Sequence, residues 1–582
     1  MVDCMGPSWG ELACLVSRQL IHISARLVRR CQRKTLQQRR AATFRSIFAM
    51  DFKQLFVAPQ GRSHSGLMLI AIAAMALALT GETAPAQSVV FQGQTFINKG
   101  LVGVARVPSN AKDQFGETLG GFGSGMAMDL RSWHKNRDGS YEGTLFMIPD
   151  RGWNTQGTVN FHSRLHRFDI TLNPLFSGTT TSQNQLKMLY KGSVLFHQIG
   201  GLPTTGLDPN GVRPANPIFP DLPIGSNGLI SVDNETVVHV GDGTIWVSDE
   251  YGPYIYHYTE NGTLLHVIRP PDAFIPMRLD ASGHPVENFS ANSPPIGVTY
   301  NPSPGNPVSG RQNNQGFEGM AMSPDRNTLF VLLQSALIQD LDTSTIKTTR
   351  RNTRLLAYDL KGLKPKLRAE YVVQLPLYQD PTTTKPTLLI AAQSELLALN
   401  DHQFLVLARD SGAGFSLANA TSAYRSVDLI DISGATNIAG TAYDSPTTPI
   451  APLGVLNSSI KPVTYVKFLD INDNAQLNRF GLHNGLPNNN NNLYEKWESM
   501  AVVPVEDPRS PHDYFLFVGS DNDFITQNGF MAGQPYQDAS GANVDTLVLV
   551  YRVTLPTYVP PRSDGRFEHV GGLFDHDNDD RQ

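Results

Sequence analysis

Residues 231–258 read SVDNETVVHVGDGTIWVSDEYGPYIYHY. Two short runs of β-branched and apolar residues, 236–240 and 244–247, flank Gly241-Asp242-Gly243. Such runs around a turn that tolerates positive φ predict a β-hairpin. Glu235 precedes the first run and Asp249-Glu250 follow the second, so pairing the strands brings three carboxylates to one end of the hairpin.

The same pattern recurs along the chain. It reads GFEGMAMSPDRNTLFVLLQ at 316–334, SELLALNDHQFLVLARD at 394–410, and WESMAVVP at 497–504 continuing to YFLFVGSDND at 514–523. A longer version runs from GSGMAMD at 123–129 to TLFMIPDR at 144–151. Five copies are visible. The residue before the first strand is Ser124, Glu235, Glu318, Glu395 or Glu498, and the residue after the second is Asp150, Asp249, Gln334, Asp410 or Asp521. Polar and apolar alternation at 163–169, 354–359, 369–375 and 423–431 predicts outer strands. The spacing between copies, 77 to 111 residues, exceeds a propeller repeat of about 40–50, so long insertions separate the repeats. Pro, Gly and Asn dominate two of them, 203–228 and 270–315, which read as loops. The predicted fold is therefore all-β, a β-propeller with long inter-blade loops and six blades favoured, with residues 87–122 supplying a strand that closes the ring against the last blade.

The N-terminal region follows a different pattern. Residues 66–80 form an apolar run too short for a comfortable membrane span, preceded by Lys53 and Arg62 and followed by the small-residue pattern Ala84-Pro85-Ala86. That is a secretory signal with cleavage after Ala86, and Met50 is its natural initiator. Residues 1–49 read as an upstream extension or a misassigned start, 50–86 as the signal region, 87–556 as the propeller domain and 557–582 as an acidic, disordered tail. All three cysteines, Cys4, Cys14 and Cys31, precede residue 50, so the mature chain is held without disulfides. Five N-x-S/T sequons, at Asn234, Asn261, Asn288, Asn419 and Asn457, point to a glycoprotein of the extracellular space.

Charge alters the picture once the leader is removed. Residues 1–86 hold eleven Lys and Arg against four Asp and Glu, which leaves 36 basic and 48 acidic residues and a net charge of −12. Such a surface repels nucleic acid and anionic lipid and favours divalent cations. No stable membrane insertion is expected after cleavage, and a monomer is expected.

The strings VSDEYGPYIY at 247–256, GFEGMA at 316–321, LLQS at 332–335, ELLAL at 395–399, KWE at 496–498 and SDNDF at 520–524 together resemble the phytase-like family, also described as esterase-like activity of phytase. The match covers roughly residues 100–555 in motif order. The resemblance implies a secreted or periplasmic β-propeller distantly similar to calcium-dependent alkaline phytases. The chain departs from the family at Asn234 and Thr236, where the pattern around the acid tends to be Pro-Glu-Gly, and at Ser499, where it tends to have Gly.

In a propeller, residues at equivalent positions of the innermost strands converge on the axis. A ring of like charges there calls for a cation or raised pKa values, and calcium, with about 6–8 oxygen ligands, fits. The candidate metal ligands are Glu235, Asp249, Glu250, Glu318, Glu395, Asp410, Glu498, Asp521 and Asp523. Asn522 is either a further oxygen ligand or a turn residue. Asp249, Glu250, Arg151 and Arg409 are the candidate catalytic groups, with Lys496 as another cationic anchor. The same acids also serve as strand-end caps that bond loop amides, and each cation also reads as the partner of a neighbouring acid. Ser124 lacks the outer glycines of a nucleophile elbow. His239, His257 and His402, and likewise Tyr251, Tyr254 and Tyr256, read as packing residues, and the acids of 575–580 lack the glycine and terminal glutamate of a calcium loop. The expected function is calcium-dependent hydrolysis of a small phosphate or other ester outside the cell. The alternative is a non-catalytic propeller that binds a ligand or protein around structural calcium.

Overall fold

The computed structural model describes residues 87–561, except 299–301, 303, 304 and 363. The expected signal region and upstream extension lie outside the described residues, as does the tail from 562 onward.

Five strands begin the five repeats: Gly125–Lys135 (β1), Asn234–His239 (β2), Phe317–Met322 (β3), Ala392–Ala398 (β4) and Trp497–Pro504 (β5). Each is the first strand of an antiparallel sheet. In the first four sheets the strands lie in sequence order: β1 is followed by Tyr141–Ile148, Arg164–Leu172 and Leu186–Leu195, and β2 to β4 are continued in the same way. The fifth sheet takes Asp513–Ser520 and Thr546–Thr554 from the end of the chain and then Gln94–Val107 and Gln87–Phe91 from its beginning. Gln94–Val107 pairs antiparallel with Thr546–Thr554, from Ile97 opposite Thr554 to Val107 opposite Thr546. The strand expected to close against the last sheet is therefore in place.

An apolar cluster lies between each neighbouring pair of sheets. Ile148 and Leu165 pack with Val237 and Ile245 between the first and second. Trp246 and Ile255 meet Met320 and Val331 between the second and third, and Phe330 and Leu332 meet Phe404 and Val406 between the third and fourth. Leu405 and Leu407 meet Val502 and Leu516 between the fourth and fifth, while Ala501 and Phe517 meet Met126 and Met147 between the fifth and first. Consecutive residues enter opposite clusters: Leu329 and Val331 face one neighbour, Phe330 and Leu332 the other. Burial on both faces explains why these strands are almost continuously apolar rather than alternating. The first strand of each sheet neighbours that of the next, and β5 neighbours β1. Six blades were favoured from the sequence. Among the described residues there are five sheets of this order, one for each visible repeat.

The insertions carry more structure than their composition predicts. The 203–228 segment contributes to a separate four-stranded sheet made of Thr204–Thr205, Gly211–Arg213, Leu222–Ile224 and Ile230–Ser231. The 270–315 segment holds the hairpin of Met277–Leu279 and Pro285–Glu287. A cavity of about 160 Å³ runs along β1 to β5, lined by Met126, Val237, Met320, Leu397 and Met500 among others. Asn234 is fully buried, which corrects its reading as a glycan acceptor, whereas Asn261 and Asn457 are exposed.

Candidate functional site

The first strands do not pair evenly with the second strands. Register slips lie between Asn234 and Val237 on β2, Phe317 and Met320 on β3, Gln393 and Glu395 on β4, and Trp497 and Ser499 on β5. A bulge leaves a residue outside the ladder and re-aims its side chain. Glu235, Glu318 and Glu498 fall within these slips, and all three are buried.

Glu395 does not occupy the equivalent place. Phe317 pairs with Leu333 just before Gln334, Trp497 with Ser520 just before Asp521, and Ala392 with Arg409 just before Asp410. Counting from those pairs, the counterpart of Glu318 and Glu498 on β4 is Gln393. Glu395 lies two residues further on and lines the axial cavity. Its Oε1 accepts from the Thr236 hydroxyl at 2.7 Å and the Leu396 amide at 2.8 Å.

Two acidic groups stand at the opposite end. In one, carboxylate oxygens of Asp150, Asp521 and Asp523 lie within 4.8 Å of one another. The Lys496 ammonium fills this group, 2.5 Å from Asp521, 2.9 Å from Asp523, 3.4 Å from Glu498 and 3.7 Å from Asp150. Burial opposes its charge most strongly, yet these acids together hold its pKa well above the usual lysine value. Asp521 has its own pKa pushed well above the usual range by burial, against the pull of Lys496.

In the other group, oxygens of Asp233, Glu235 and Glu250 lie within 4.8 Å of one another. Asp233 is held by Arg151, through the guanidinium at 2.9 Å and the backbone amide at 3.2 Å. Glu318 accepts from the Gln334 side-chain amide, and Glu498 is paired with Arg409. Glu250 Oε1 and Glu318 Oε2 are buried without a hydrogen-bond partner. Burial, then Glu318 and Glu250, push Glu235 well above the ordinary carboxyl range; burial, then Glu250 and Glu498, do the same to Glu318. Burial also raises Glu250, against Arg151 and Arg311. Burial and mutual repulsion thus favour the protonated form of these acids.

Asp249 and Asp410, expected beside these acids, are engaged elsewhere. Asp249 accepts from the amides of Asp233 at 2.8 Å, Tyr251 at 3.2 Å and Gly252 at 2.6 Å. Asp410 accepts from the Ser422 hydroxyl and the Ala423 amide, each at 2.6 Å. Asp249 shapes the turn that leaves its strand, and Asp410 ties the exit of its strand to the far end of the loop that follows. Asn522 does likewise, accepting from Gly121 and Phe524 amides at 2.8 and 3.1 Å. Asp233 was missed in the sequence; the signal was its spacing, an acid two residues before Glu235 in a loop leading into a strand.

The family model described as Phytase-like, esterase-like activity of phytase, matches residues 118–524. A protein of Arthroderma benhamiae (strain ATCC MYA-4681 / CBS 112371) named Uncharacterized secreted protein is 42% identical over 463 residues, 75% of this chain and 88% of that one. Among solved structures, a luciferin-regenerating enzyme is 11% identical with a TM-score of 0.21, covering 75% of this chain and 92% of its own. A gluconolactonase of Xanthomonas campestris is 8% identical with a TM-score of 0.23, covering 81% of this chain and 92% of its own.

Proposed function

The chain belongs to the phytase-like family, and from that premise we propose that it is a secreted hydrolase of phosphate or other esters whose acidic centre takes calcium. The observation that carries this reading is the pair of buried carboxylate oxygens without partners, Glu250 Oε1 and Glu318 Oε2, beside the close group of Asp233, Glu235 and Glu250. Buried carboxylates in mutual repulsion are costly, and an all-oxygen set of this kind suits calcium. Asp233, Glu235, Glu250 and Glu318 are the residues that would hold it. When bound, calcium supplies a positive charge toward which an ester or phosphoryl oxygen is drawn.

The chain's own residues divide the remaining work. Arg151 orients Asp233, and Arg409 orients Glu498. Lys496 neutralises Asp521 and Asp523, which leaves that group as internal support. The net charge of −12 over residues 87–582 repels a polyanionic partner such as nucleic acid and favours a small substrate.

A second reading has its own observation. Asp249 and Asp410 are bonded to loop amides and Arg409 to a glutamate, the pattern of a binding module in which calcium is structural. One experiment separates the two: mature protein, stripped with chelator, is assayed on phosphomonoesters, phytate and acyl esters with and without calcium. The hydrolase reading expects calcium-dependent turnover that falls at least about a hundredfold in Glu318→Gln, as when one charged group of a catalytic centre is removed. Calcium that raises the melting temperature while no substrate turns over favours the binding module.

A further inference from the structure

One level of the axial cavity breaks its own pattern. On β3, Met320 pairs with Val331, two residues before Leu333; on β4, Glu395 pairs with Leu407, two residues before Arg409. Val237 on β2 and Met500 on β5 hold the same place in their sheets. All four line the cavity and are buried, Glu395 at 1% exposure. Three equivalent positions are therefore apolar and the fourth is an acid. The apolar three show that packing at this level does not call for a carboxyl.

The carboxyl is only half engaged. Its Oε1 takes the Thr236 hydroxyl and the Leu396 amide, whereas Oε2 is buried without a hydrogen-bond partner. The amides of Met320 and Met500 act on the same carboxyl, more weakly than Thr236 and Leu396, and burial outweighs all four in pushing its pKa well above the ordinary range. A buried oxygen left unmet costs free energy, and the space beside this one is a cavity. Met126 and Met128 add to its walls, whose thioether chains are apolar and adapt their shape to an occupant. Its volume of about 160 Å³ is close to the roughly 150 Å³ that suffices for one benzene ring.

We propose that the axial cavity is a binding site for a small neutral molecule bearing a hydroxyl, with the hydroxyl on Glu395 Oε2 and an apolar part the size of one ring among the methionines. A hydroxyl donates to a carboxylate and accepts from a carboxylic acid, so it meets Oε2 in either protonation state. An anion is repelled by the ionised form, and an ammonium group loses its hydration between apolar walls. The site lies at the opposite end of the first strands from the group of Asp233, Glu235 and Glu250, and it rests neither on calcium nor on hydrolysis.

The test uses the mature protein in chelator, titrated calorimetrically with phenol and, in a parallel arm, with toluene, which has the ring without the hydroxyl. Phenol is expected to bind saturably. In Glu395→Met, which gives β4 the residue of β3 and β5, the Kd for phenol is expected to rise about tenfold relative to that for toluene, the loss of one hydrogen bond to a buried carboxyl. Leu397→Phe takes up cavity space at another point of β4 and is expected to weaken both probes; it carries the test if Glu395→Met does not fold. No saturable phenol binding, binding that Leu397→Phe leaves unchanged, or an unchanged ratio of the two affinities in folded Glu395→Met overturns the proposal. Benzylamine in a third arm, if it binds more tightly than phenol, overturns the neutral class of ligand.

Discussion

Lys496 places one ammonium within 3.7 Å of four carboxylates. Removing one partner of a buried ion group leaves the rest uncompensated, at a cost of about 3–5 kcal/mol. Lys496→Met is therefore expected to lower stability by about that amount in chelator, measured by urea unfolding, and to regain part of it on adding calcium. Burial decides a second prediction at this scale. Glycans are expected at Asn261 and Asn457, which are exposed, and not at Asn234, which is fully buried; peptide mapping before and after deglycosylation checks all three. A sequon in the sequence carries no burial; Asn234 is awkward there only as the neighbour of Glu235, and the strand it begins is what buries it. Lys496 and Asp521 were visible as charged residues, but which of the acids it joins is set by contacts between repeats.

The repeated element, a strand entered through an acid and left through another, was legible because both strands are short, apolar and β-branched. What sequence spacing could not give is the register. From the first acid to the residue after the second strand there are 14 residues at Glu235, 16 at Glu318, 15 at Glu395 and 23 at Glu498. Those lengths mix turn residues with bulged ones, so Glu395 looked equivalent to Glu318 while the ladder moves it two residues along β4. The close approach at Gly316 belongs to this scale. A Cβ there would lie 2.4 Å from Glu250 Cα, so Gly316→Ala must displace the backbone that carries Glu250. The expected outcome is destabilisation of about 1–3 kcal/mol by overpacking, with weakened calcium binding, read by thermal melts and titration calorimetry on the same sample.

Over the whole molecule, buried carboxyls tie stability to pH. Asp249 is pushed up to about 7 by burial, against the amides of Asp233 and Gly252, and Glu370 is pushed up to about 7 by burial, against Arg354. A carboxyl whose folded pKa exceeds its unfolded value binds more protons when folded across that interval, so stability falls as pH rises through it. The window runs from the ordinary carboxyl pKa of about 4 up to about 7. In chelator the melting temperature is expected to be higher at pH 5 than at pH 7.5. Asp233, one of the residues that would hold calcium, is likewise pushed up to about 7 by burial, against Arg151, so calcium is expected to narrow that difference by replacing the proton there; calorimetric scans at the two pH values give the answer. The all-β class was readable from strand pattern and turn residues, and five repeats were countable. Six blades were favoured, whereas five sheets of the repeated order are described; the 203–228 segment, read as a loop, helps build a further sheet of a different strand order.

The pairing of Gln94–Val107 with Thr546–Thr554 has a mechanical consequence. Two distant parts of the chain are fastened within one sheet, so the beginning and end of the sheet-bearing segment are joined there and not in any insertion. A single proteolytic cut in an exposed insertion would divide the polypeptide and leave each of the side-by-side sheets whole. Loss of that one strand pair, by contrast, would part the opening strands from the last sheet without breaking a covalent bond.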